Sequence, residues 1–513
     1  MNGAESLVRT LIACDVDTCF ANPGTSEIHF VAALDRNPGM RCVLALFAGV
    51  VTGAADGYGR IARKPAATLM HCGPGMANGL AYLHNAKRAE TPIVNIVGDQ
   101  ATYHAPLNPP LASDVEGWAR PVSQWVRKAR TAKEVGAAAA EAVQNARRAP
   151  GGSATLILPS DVSWGEPGEE AAPLPIPPRE KSSPDQIAEA ARVLRSGEPT
   201  ILLVSGAALL PENLQLAYGL AAATGARLMA PTFNARIARG RGRPPLEIVP
   251  YPVDEAVRLL QGTRDLVVAG TGAPVAFFAY PGKPGIVSPK DAQIHVLARP
   301  DQDIPEALAR LAAELNADPV VEIPETAPES LPLDGALTPE TAAGVIANLL
   351  PDDAMIIDEA ISLRGAFFRT TKNAARHDWL QVPGGAIGGG LPLATGAALA
   401  APGRRAVVLE GDGSAMYTVQ ALWTQAREKL DVTTLILSNR KYGILEIELR
   451  AAGAPQGNSA SDLFEIARPG IDWVKMAAAQ GVEAARADSV ARLADLFRHA
   501  NSRRGPFLIE LVL

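Results

Sequence analysis

The sequence predicts an α/β protein made of three doubly wound parallel-sheet domains in series. Short β-branched apolar runs, bounded by Gly or Asp, alternate with longer helical patterns along the 513 residues. Such runs are typical of strands that are buried on both faces. Two Pro-rich polar stretches interrupt the alternation, and proline-dense segments favour extended linkers. We therefore expect domains at 1–163, 185–318 and 338–513, joined by linkers at 164–184 and 319–337.

The individual elements follow from the same patterns. In the first domain, "ATLMHCG" and "TPIVNIVGD" predict strands, and "AKEVGAAAAEAVQNARRA" predicts a helix. The second domain contains the strand patterns "PTILLVSG", "RDLVVAGTG" and "AQIHVLAR". The third contains "AMIIDEA", "RRAVVLEGDG", "VTTLILSN" and "PFLIELVL". Ligands of such sheets bind beyond the carboxyl ends of the strands, so the Gly- and Asp-rich strand ends are candidate sites.

Composition excludes several classes of function. The net charge is −6 and no long Lys/Arg run is present, so we expect no nucleic-acid partner. Residues 382–402 carry no charge, but their glycines and prolines predict a buried loop and helix rather than a membrane span. No signal-peptide pattern opens the sequence, and we expect a cytoplasmic protein with no membrane partner. All four cysteines lie in the first 72 residues without zinc-type spacing, so we expect buried, reduced thiols.

The most specific motif lies in the third domain. "VVLEGDGSAMYTVQALW" predicts a strand that ends in the Gly-Asp-Gly-Ser sequence of residues 411–414, followed by a helix. The next strand pattern ends at Asn439, 27 positions after Asp412. A carboxylate and an amide oxygen at neighbouring strand ends suit Mg²⁺, and glycine N–H groups before a helix suit a diphosphate. The backbone carbonyl of Lys441 is a candidate third ligand.

Gly-Asp-Gly followed by Asn at this spacing resembles the thiamine diphosphate signature of the decarboxylase and acetolactate synthase family. Four other stretches resemble the same family: "FANPGTSE" (20–27), "HCGPGMANGL" (71–80), "TPIVNIVGDQ" (91–100) and "GGAIGGGLPLATGAAL" (384–399). The likeness covers the whole chain and is greatest to acetolactate synthase-like and benzoylformate decarboxylase-like members. It implies a pyrimidine-binding domain, a middle domain and a diphosphate-binding domain, with thiamine diphosphate and Mg²⁺ as cofactors.

The resemblance assigns cofactor contacts residue by residue, with the three Mg²⁺ ligands already named. The Gly385 carbonyl would accept a hydrogen bond from the pyrimidine amino group. Ile387 would bend the cofactor so that this amino group lies beside thiazolium C2. For Ser362, a phosphate contact and a plain helix cap are both open. The remaining diphosphate contacts would be Gly411, Gly413, Ser414, Ala415, Tyr442 and Gly443.

The substrate side of the site would come from the first domain of a partner subunit. The resemblance gives His71 the main role in proton transfer and carboxylate binding. For His104 a structural role is an equal alternative. A shared site makes a homodimer the minimum, and a homotetramer is the expected assembly. The candidate residues are Asn22, Thr25, His71, Gln100 and His104.

The middle domain departs from benzoylformate decarboxylase-like relatives, which use a second active-site histidine from this domain. The matching stretch here, "GTGAPVAFFAYPG", contains no histidine. Some relatives also bind FAD in the middle domain. This chain has no dinucleotide fingerprint with an acidic residue about 20 positions later, and we expect no FAD.

Ala48, in "LFAGVVTGAADGYGR" (46–60), is the departure with the largest chemical consequence. The family has a glutamate at this position, where it hydrogen-bonds the pyrimidine ring and drives removal of the C2 proton. Alanine has no titratable group and relays no proton. One natural branch, glyoxylate carboligase, also lacks the glutamate, so natural divergence is open. The otherwise complete site favours a single engineered Glu→Ala change.

We therefore expect a thiamine diphosphate- and Mg-dependent decarboxylase or carboligase that acts on 2-oxo acids, and an active form and a form inactivated by this alanine are both open. One alternative is a C–C lyase of acyl-CoA substrates, for which no clear basic entry is visible. A second is a catalytically silent cofactor-binding protein, which only the alanine supports. Past the metal loop, Ile444, Leu445 and Ile447 indicate an apolar pocket wall, and Glu446 and Glu448 face either solvent or substrate.

Overall fold

A computed structural model describes residues 1–318, 321–330 and 335–513 of the chain. Within these residues, the strands form three mainly parallel sheets with helices around them, which confirms the predicted α/β class. The domain boundaries stay predictions. Residues 319–320 and 331–334 of the second predicted linker lie outside the described residues.

The first sheet has six parallel strands. They are β1 Thr18–Asn22, β2 Arg41–Leu44, β3 Ala66–Met70, β4 Ile93–Asp99, β5 Trp125–Lys128 and β6 Ser153–Pro159. Its helices are α1 Gly3–Ala13, α2 Ile28–Leu34, α3 Ala48–Ala62, α4 Cys72–Arg88, α5 Val115–Ala119, α6 Val135–Arg147 and α7 Ser160–Trp164. The strand order is β2-β1-β3-β4-β6-β5. Strands β3, β4 and β6 are buried throughout, which explains their continuous apolar sequences.

The second sheet has five parallel strands and lies in the middle region of the chain. They are β7 Thr200–Val204, β8 Arg227–Ala230, β10 Glu247–Ile248, β11 Asp265–Ala269 and β12 Gln293–Ala298. Its helices are α8 Pro184–Leu194, α9 Pro211–Thr224, α10 Val253–Leu260 and α11 Ile304–Leu315. The order is β10-β8-β7-β11-β12. A further strand of this region, β9 Ile237–Arg239, pairs instead with the third sheet.

The third sheet has seven strands and carries the predicted metal motif. Besides β9 they are β13 Ala354–Glu359, β14 His377–Gln381, β15 Ala406–Gly411, β16 Val432–Ser438, β17 Glu483–Ala487 and β18 Phe507–Val512. Its helices are α12 Pro339–Leu349, α13 Arg364–Thr370, α14 Gly390–Ala400, α15 Asp412–Ala415, α16 Ala421–Arg427, α17 Gly443–Ala451, α18 Asn458–Phe464, α19 Trp473–Ala479 and α20 Val490–Ser502. The order is β17-β18-β16-β15-β13-β14-β9, in which β9 pairs antiparallel with β14.

Helices α3 and α14 cross in direct backbone contact and join the first and third sheets. A Cβ added at Gly57 would lie 1.9 Å from a carbonyl oxygen of α14, and one at Gly396 would lie 1.8 Å from a carbonyl oxygen of α3. Glycine is therefore required at both positions for so close an approach. Because α3 begins at Ala48 and α14 follows the glycine-rich loop 384–390, the crossing fixes these two segments relative to each other.

The uncharged stretch 382–402 forms a loop followed by α14, which is buried along nearly its whole length. This confirms the predicted loop and helix. Among the residues that the structure describes, no helix is long and apolar enough to cross a membrane.

All four cysteines are free thiols, and Cys14, Cys19 and Cys72 are buried. The expectation of burial was wrong for Cys42, which is exposed. The reason is that β2 is the edge strand of the first sheet, so one side of it has no neighbouring strand.

Candidate active site

Asp412 and Asn439 lie just beyond the carboxyl ends of the neighbouring strands β15 and β16. The buried Asp412 carboxylate accepts hydrogen bonds from the N–H groups of Gly413 at 2.9 Å and Arg440 at 2.7 Å. Burial raises the pKa of this carboxyl group. The Asn439 side-chain oxygen accepts from the Lys441 N–H at 3.2 Å. Two oxygen donors on adjacent strand ends fit a hard cation such as Mg²⁺.

The residues predicted to contact the diphosphate gather around these strand ends. Gly413 lies against the ring of Tyr442, since an added Cβ would be 2.5 Å from its Cε1. A Cβ at Gly443 would be 3.2 Å from the Ser362 Oγ, so Ser362 lies beside the metal loop. It sits inside the 3-10 turn Ile361–Leu363 rather than capping a helix. Gly411 ends β15, and Ser414 and Ala415 are buried in α15.

The glycine-rich loop 384–390 is fixed on one side by helix α4. The side chains of Tyr82, His84 and Asn85 bond to loop carbonyls at 3.2, 3.1 and 2.8 Å. The bonded carbonyls belong to the residues on either side of Gly385 and to Ile387. Gly385 has a φ of +74°, a left-handed conformation that favours glycine. The loop is therefore held in shape before any ligand binds.

A buried carboxylate that the sequence did not single out fixes the other side of this loop. Glu359, the last residue of β13, accepts from the N–H groups of Gly388 and Gly390, each at 2.5 Å. Glu410 of β15 is buried beside it, and burial together with the Glu359 charge raises the Glu410 pKa well above its usual value. Burial also raises the pKa of Glu359, to about 7, and its hydrogen bonds from the two loop N–H groups oppose that rise, so Glu410 is the more readily protonated carboxyl group of the pair. The sequence offered one sign of these two residues, which is that each is an acidic residue inside an otherwise apolar strand pattern, β13 for Glu359 and β15 for Glu410.

The carboxyl edge of the first sheet carries a second group of polar side chains. Asn22 ends β1 and donates to the Ala45 carbonyl at 2.9 Å. His71 immediately precedes α4, and its Nδ1 lies 2.8 Å from the Glu27 carboxylate and 3.0 Å from the Ser26 hydroxyl. The carboxylate orients the imidazole and favours a proton on Nδ1. Ser26 and Glu27 were not singled out from the sequence, although "FANPGTSE" contains both.

The other residues predicted for the substrate side of the site, Thr25, Gln100 and His104, lie farther apart along the first domain. Thr25 is exposed at the start of the 3-10 turn that contains Glu27. Gln100 follows β4 and is half-buried, with its N–H bonded to the Asp99 carboxylate at 2.8 Å. Since β1, β3 and β4 are neighbours, both residues lie on the sheet edge that carries His71. His104 is exposed in a later turn, where its N–H donates to a backbone carbonyl at 2.8 Å.

Ala48 is the first residue of α3 and is 1% exposed. Its carbonyl accepts from the Thr52 hydroxyl at 3.3 Å. Its methyl group belongs to an apolar cluster that also contains Leu391 of α14. The position therefore offers a ligand no polar side chain.

The histidine-free stretch of the middle region brings aromatic rings to the glycine-rich loop. A Cβ at Gly385 would lie 2.7 Å from the Cζ of Phe277. The Phe277 ring packs against Phe233, Tyr251 and Phe278 at centroid distances of 5.4, 5.6 and 4.9 Å. Several of these rings line a cavity of about 310 Å³ that also reaches residue 383. An aromatic wall thus borders the glycine-rich loop on the side of the middle region.

The two glutamates of α17 have different surroundings. Glu448 accepts from the hydroxyl groups of Tyr251 at 2.7 Å and Tyr280 at 2.6 Å. It therefore faces the middle region rather than solvent. Glu446 pairs with the Lys441 ammonium group at 2.9 Å.

Comparison with known proteins agrees with this geometry. Residues 1–118 match the family model of the thiamine pyrophosphate enzyme N-terminal TPP-binding domain, and residues 365–511 match that of the C-terminal TPP-binding domain. The chain belongs to the thiamine pyrophosphate enzyme family. This thiamine pyrophosphate enzyme is 48% identical to a Mycobacterium tuberculosis protein named provisionally as acetolactate synthase large subunit IlvX, over 100% of this chain and 99% of that protein. It is 30% identical to benzoylformate decarboxylase from Pseudomonas aeruginosa, over 96% and 95% of the two chains.

Solved structures show the same fold. The 4-hydroxybenzoylformate decarboxylase of Rhodococcus jostii RHA1 matches with a TM-score of 0.86 at 24% identity, over 99% of this chain and 98% of that one. Benzoylformate decarboxylase from Polynucleobacter necessarius matches with a TM-score of 0.85 at 23% identity, over 100% and 99%. Together with the sequence relatives, these findings confirm a thiamine pyrophosphate-dependent enzyme of the acetolactate synthase and benzoylformate decarboxylase type.

Proposed function

We propose that this enzyme requires Mg²⁺ and removes the carboxylate of a 2-oxo acid as CO₂. The remaining unit then leaves as an aldehyde or is joined to a second carbonyl compound. The observation that carries the proposal is the pair of Asp412 and Asn439 on adjacent strand ends, beside a glycine-rich loop that is fixed from both sides. The name of the 30% identical relative supports decarboxylation, and that of the 48% identical relative supports ligation.

The third sheet would hold the cofactor. Asp412, Asn439 and the Lys441 carbonyl would bind Mg²⁺, which in turn binds the diphosphate. The Gly385 carbonyl and the Ile387 side chain would orient the pyrimidine ring. When bound, thiamine diphosphate supplies the carbon nucleophile and the electron sink that decarboxylation needs.

The first sheet would handle substrate protons. His71 would hold and transfer a proton at Nε2, because its Nδ1 faces the Glu27 carboxylate at 2.8 Å. In the middle region, the ring of Phe277 against Gly385 would exclude water from the reacting atoms.

Ala48 would leave this form with slow cofactor activation, because the position that carries the relay carboxylate in the family is a buried methyl group here. A catalytically silent cofactor-binding protein is the second candidate, and Ala48 is the observation that favours it.

We also propose a homodimer at least, and a homotetramer as the full assembly. Leu46, Met416 and Tyr417 flank the two halves of the candidate site and are 49%, 39% and 52% exposed in the single chain. A second copy would cover them. The free thiols fit the reducing cytoplasm, and no flavin is part of the proposal.

Titration of cofactor-free protein with thiamine diphosphate, with and without Mg²⁺, tests cofactor binding, with near-ultraviolet circular dichroism as the readout. We expect Mg²⁺-dependent binding that Asp412→Ala abolishes. A panel of 2-oxo acids then tests the reaction with this form and with Ala48→Glu. CO₂ release with aldehyde or hydroxyketone formation supports the enzyme, whereas silence of both forms with cofactor bound supports the silent protein.

A further inference from the structure

Three different ligand atoms meet at the carboxyl edge of the first sheet. A carboxylate oxygen of Glu27, a ring nitrogen of His71 and the sulfur of Cys72 all lie within 4.8 Å of one another. The Ser26 Oγ touches each of them, at 2.6 Å from the Glu27 Oε1, 3.0 Å from the His71 Nδ1 and 3.1 Å from the Cys72 Sγ. One small atom therefore already reaches all three donors, and rotation of Ser26 would leave that place to an ion.

The side chains of the cluster pack tightly against backbone at two glycines, which holds them in place. A Cβ at Gly24 would lie 2.4 Å from the His71 ring, and one at Gly98 would lie 1.6 Å from the Glu27 carboxylate. Both side chains thus rest directly on backbone. Cys72 has a φ of +49°, a conformation that costs a non-glycine residue roughly 1–3 kcal/mol and persists only where the surroundings enforce it.

The surroundings favour a cation. Glu27 and Cys72 are 2% and 1% exposed, while His71 is half-buried. The negative carboxylates of Glu27 and Asp99 both lie near the Cys72 sulfur, that of Glu27 within 4.8 Å of it. The Lys128 ammonium group bonds to Asp99 at 2.6 Å and offsets its charge. Glu27 therefore provides the main negative charge beside the thiol.

We propose that Glu27, His71 and Cys72 form a second metal site, which takes a borderline-soft divalent cation such as Zn²⁺ rather than Mg²⁺. Oxygen, nitrogen and sulfur donors together match zinc, and three protein ligands leave a fourth position open for water or substrate. Tetrahedral bonds of zinc length place ligands about 3.3 Å apart, so the 2.8 Å between Glu27 and His71 would have to widen slightly. Cys72 would bind as the thiolate and release its proton to solvent, and His71 would bind through Nδ1 as the neutral imidazole, with its ring proton on Nε2.

Cobalt is the probe for this site, because a Co²⁺–thiolate bond absorbs in the near ultraviolet and four-coordinate Co²⁺ absorbs strongly in the visible. Metal-free protein titrated with Co²⁺ alone should develop both bands at one equivalent per chain, and Zn²⁺ should displace them. Co²⁺ at Asp412 and Asn439 would give no sulfur band, so the two sites are separable.

Cys72→Ser should lose the sulfur band, and Glu27→Gln should weaken Co²⁺ binding at least about tenfold. Cys42→Ser, which changes the exposed thiol, is the matched control and should keep the band. Circular dichroism and Mg²⁺–thiamine diphosphate binding verify that each variant is folded. Absence of a sulfur band in the unaltered protein, or an unchanged band in Cys72→Ser, overturns the proposal.

If the proposed function is correct, a metal ion bound to His71 would prevent this residue from transferring substrate protons. In a form with measurable decarboxylation, Zn²⁺ should inhibit, and Cys72→Ser should need at least about tenfold more Zn²⁺ for half inhibition. Equal sensitivity of the two forms would contradict the consequence. The cobalt spectra test metal binding directly and need no turnover of a 2-oxo acid. A wrong metal-site proposal can therefore be distinguished from a wrong proposed function.

Discussion

Ala48 places a methyl group at the position for which the resemblance predicts a proton-relaying carboxylate, and the prediction that follows is kinetic. Ala48→Glu should raise turnover of the true 2-oxo acid at least about tenfold, since a missing general acid–base step commonly costs about 10²–10⁴ in rate. The measurement is steady-state CO₂ release. Ala48→Gln, which has the same size but no titratable group, is the control and should remain slow. Equal rates for all three forms would refute an engineered loss of the glutamate.

Gly413 permits the close approach of Tyr442 to the metal loop, and its replacement should weaken cofactor binding. In Gly413→Ala the new Cβ would lie 2.5 Å from the Tyr442 ring, so the ring or the loop must move. Overpacking of this kind costs about 1–3 kcal/mol, which corresponds to roughly a 5- to 150-fold loss of affinity. Titration with Mg²⁺–thiamine diphosphate measures this loss. Gly285→Ala, with no atom within 4 Å of the added Cβ, should bind normally, and normal binding by both would contradict the prediction.

Asp412 and Asn439 were predictable because parallel strands bring their carboxyl ends to one edge, so spacing along the chain became proximity in space. The roles of Glu27, Glu359 and Glu410 could not be predicted in this way. Their roles depend on close contacts with Gly98, with the loop N–H groups and with each other. Such contacts are tertiary, and no periodicity in the sequence records them.

The crossing of α3 and α14 gives a prediction for stability. Gly57→Ala improves helix propensity by up to about 1 kcal/mol, but its Cβ would lie 1.9 Å from a backbone oxygen of α14. Backbone cannot rotate away as a side chain can, so the clash should dominate and destabilise the fold by several kcal/mol. Urea denaturation measures this change. Gly365→Ala on α13, where an added Cβ meets only the end of an arginine side chain at 3.0 Å, should be neutral or slightly stabilising.

The pairing of Glu359 with Glu410 makes stability depend on pH. In the fold the Glu410 pKa is well above its ordinary value of 4.5, so the unfolded chain loses this proton first as pH rises. The stabilisation that this proton contributes is therefore fully present below pH 4.5. Above that pH it falls by about 1.4 kcal/mol per pH unit, until the pH reaches the pKa of Glu410 in the fold. Glu410→Gln, which cannot titrate, should flatten the dependence of the unfolding free energy on pH from about pH 5 upwards.

Urea denaturation of cofactor-free protein at several pH values measures this effect. The matched control is Glu212→Gln on α9, which alters an exposed side chain and should keep the original slope. A Glu410→Gln variant with that same slope would show that the buried proton is not on Glu410.

The strands named from the sequence are present, and most of them are covered by helices on both faces, which requires apolar residues along the strand and is a local signal. Strand β12 is the exception, because it lies at the edge of the second sheet and is largely exposed. Strand β9 was not predicted. It has three residues, and its pairing with β14 depends on where the middle region lies against the third sheet. Short edge strands of this kind are determined by the partner rather than by their own sequence.

The candidate site is divided between the carboxyl edges of the first and third sheets, with His71 on one and Asp412 on the other. Exposed apolar side chains accompany both parts, among them Leu46 and Tyr417. A symmetric dimer would cover these side chains and join the first sheet of one subunit to the third sheet of its partner.

Complementation between two defective chains tests this arrangement. In the Ala48→Glu background, His71→Ala and Asp412→Ala should each abolish turnover. A mixed dimer of the two keeps one site whose first and third sheets are both intact, because the two substitutions fall together in the other site. Co-expression with different tags should therefore restore about a quarter of full activity, since half of randomly assembled dimers are mixed and each has one working site. If each chain instead builds its own site, every site carries one substitution and activity stays absent.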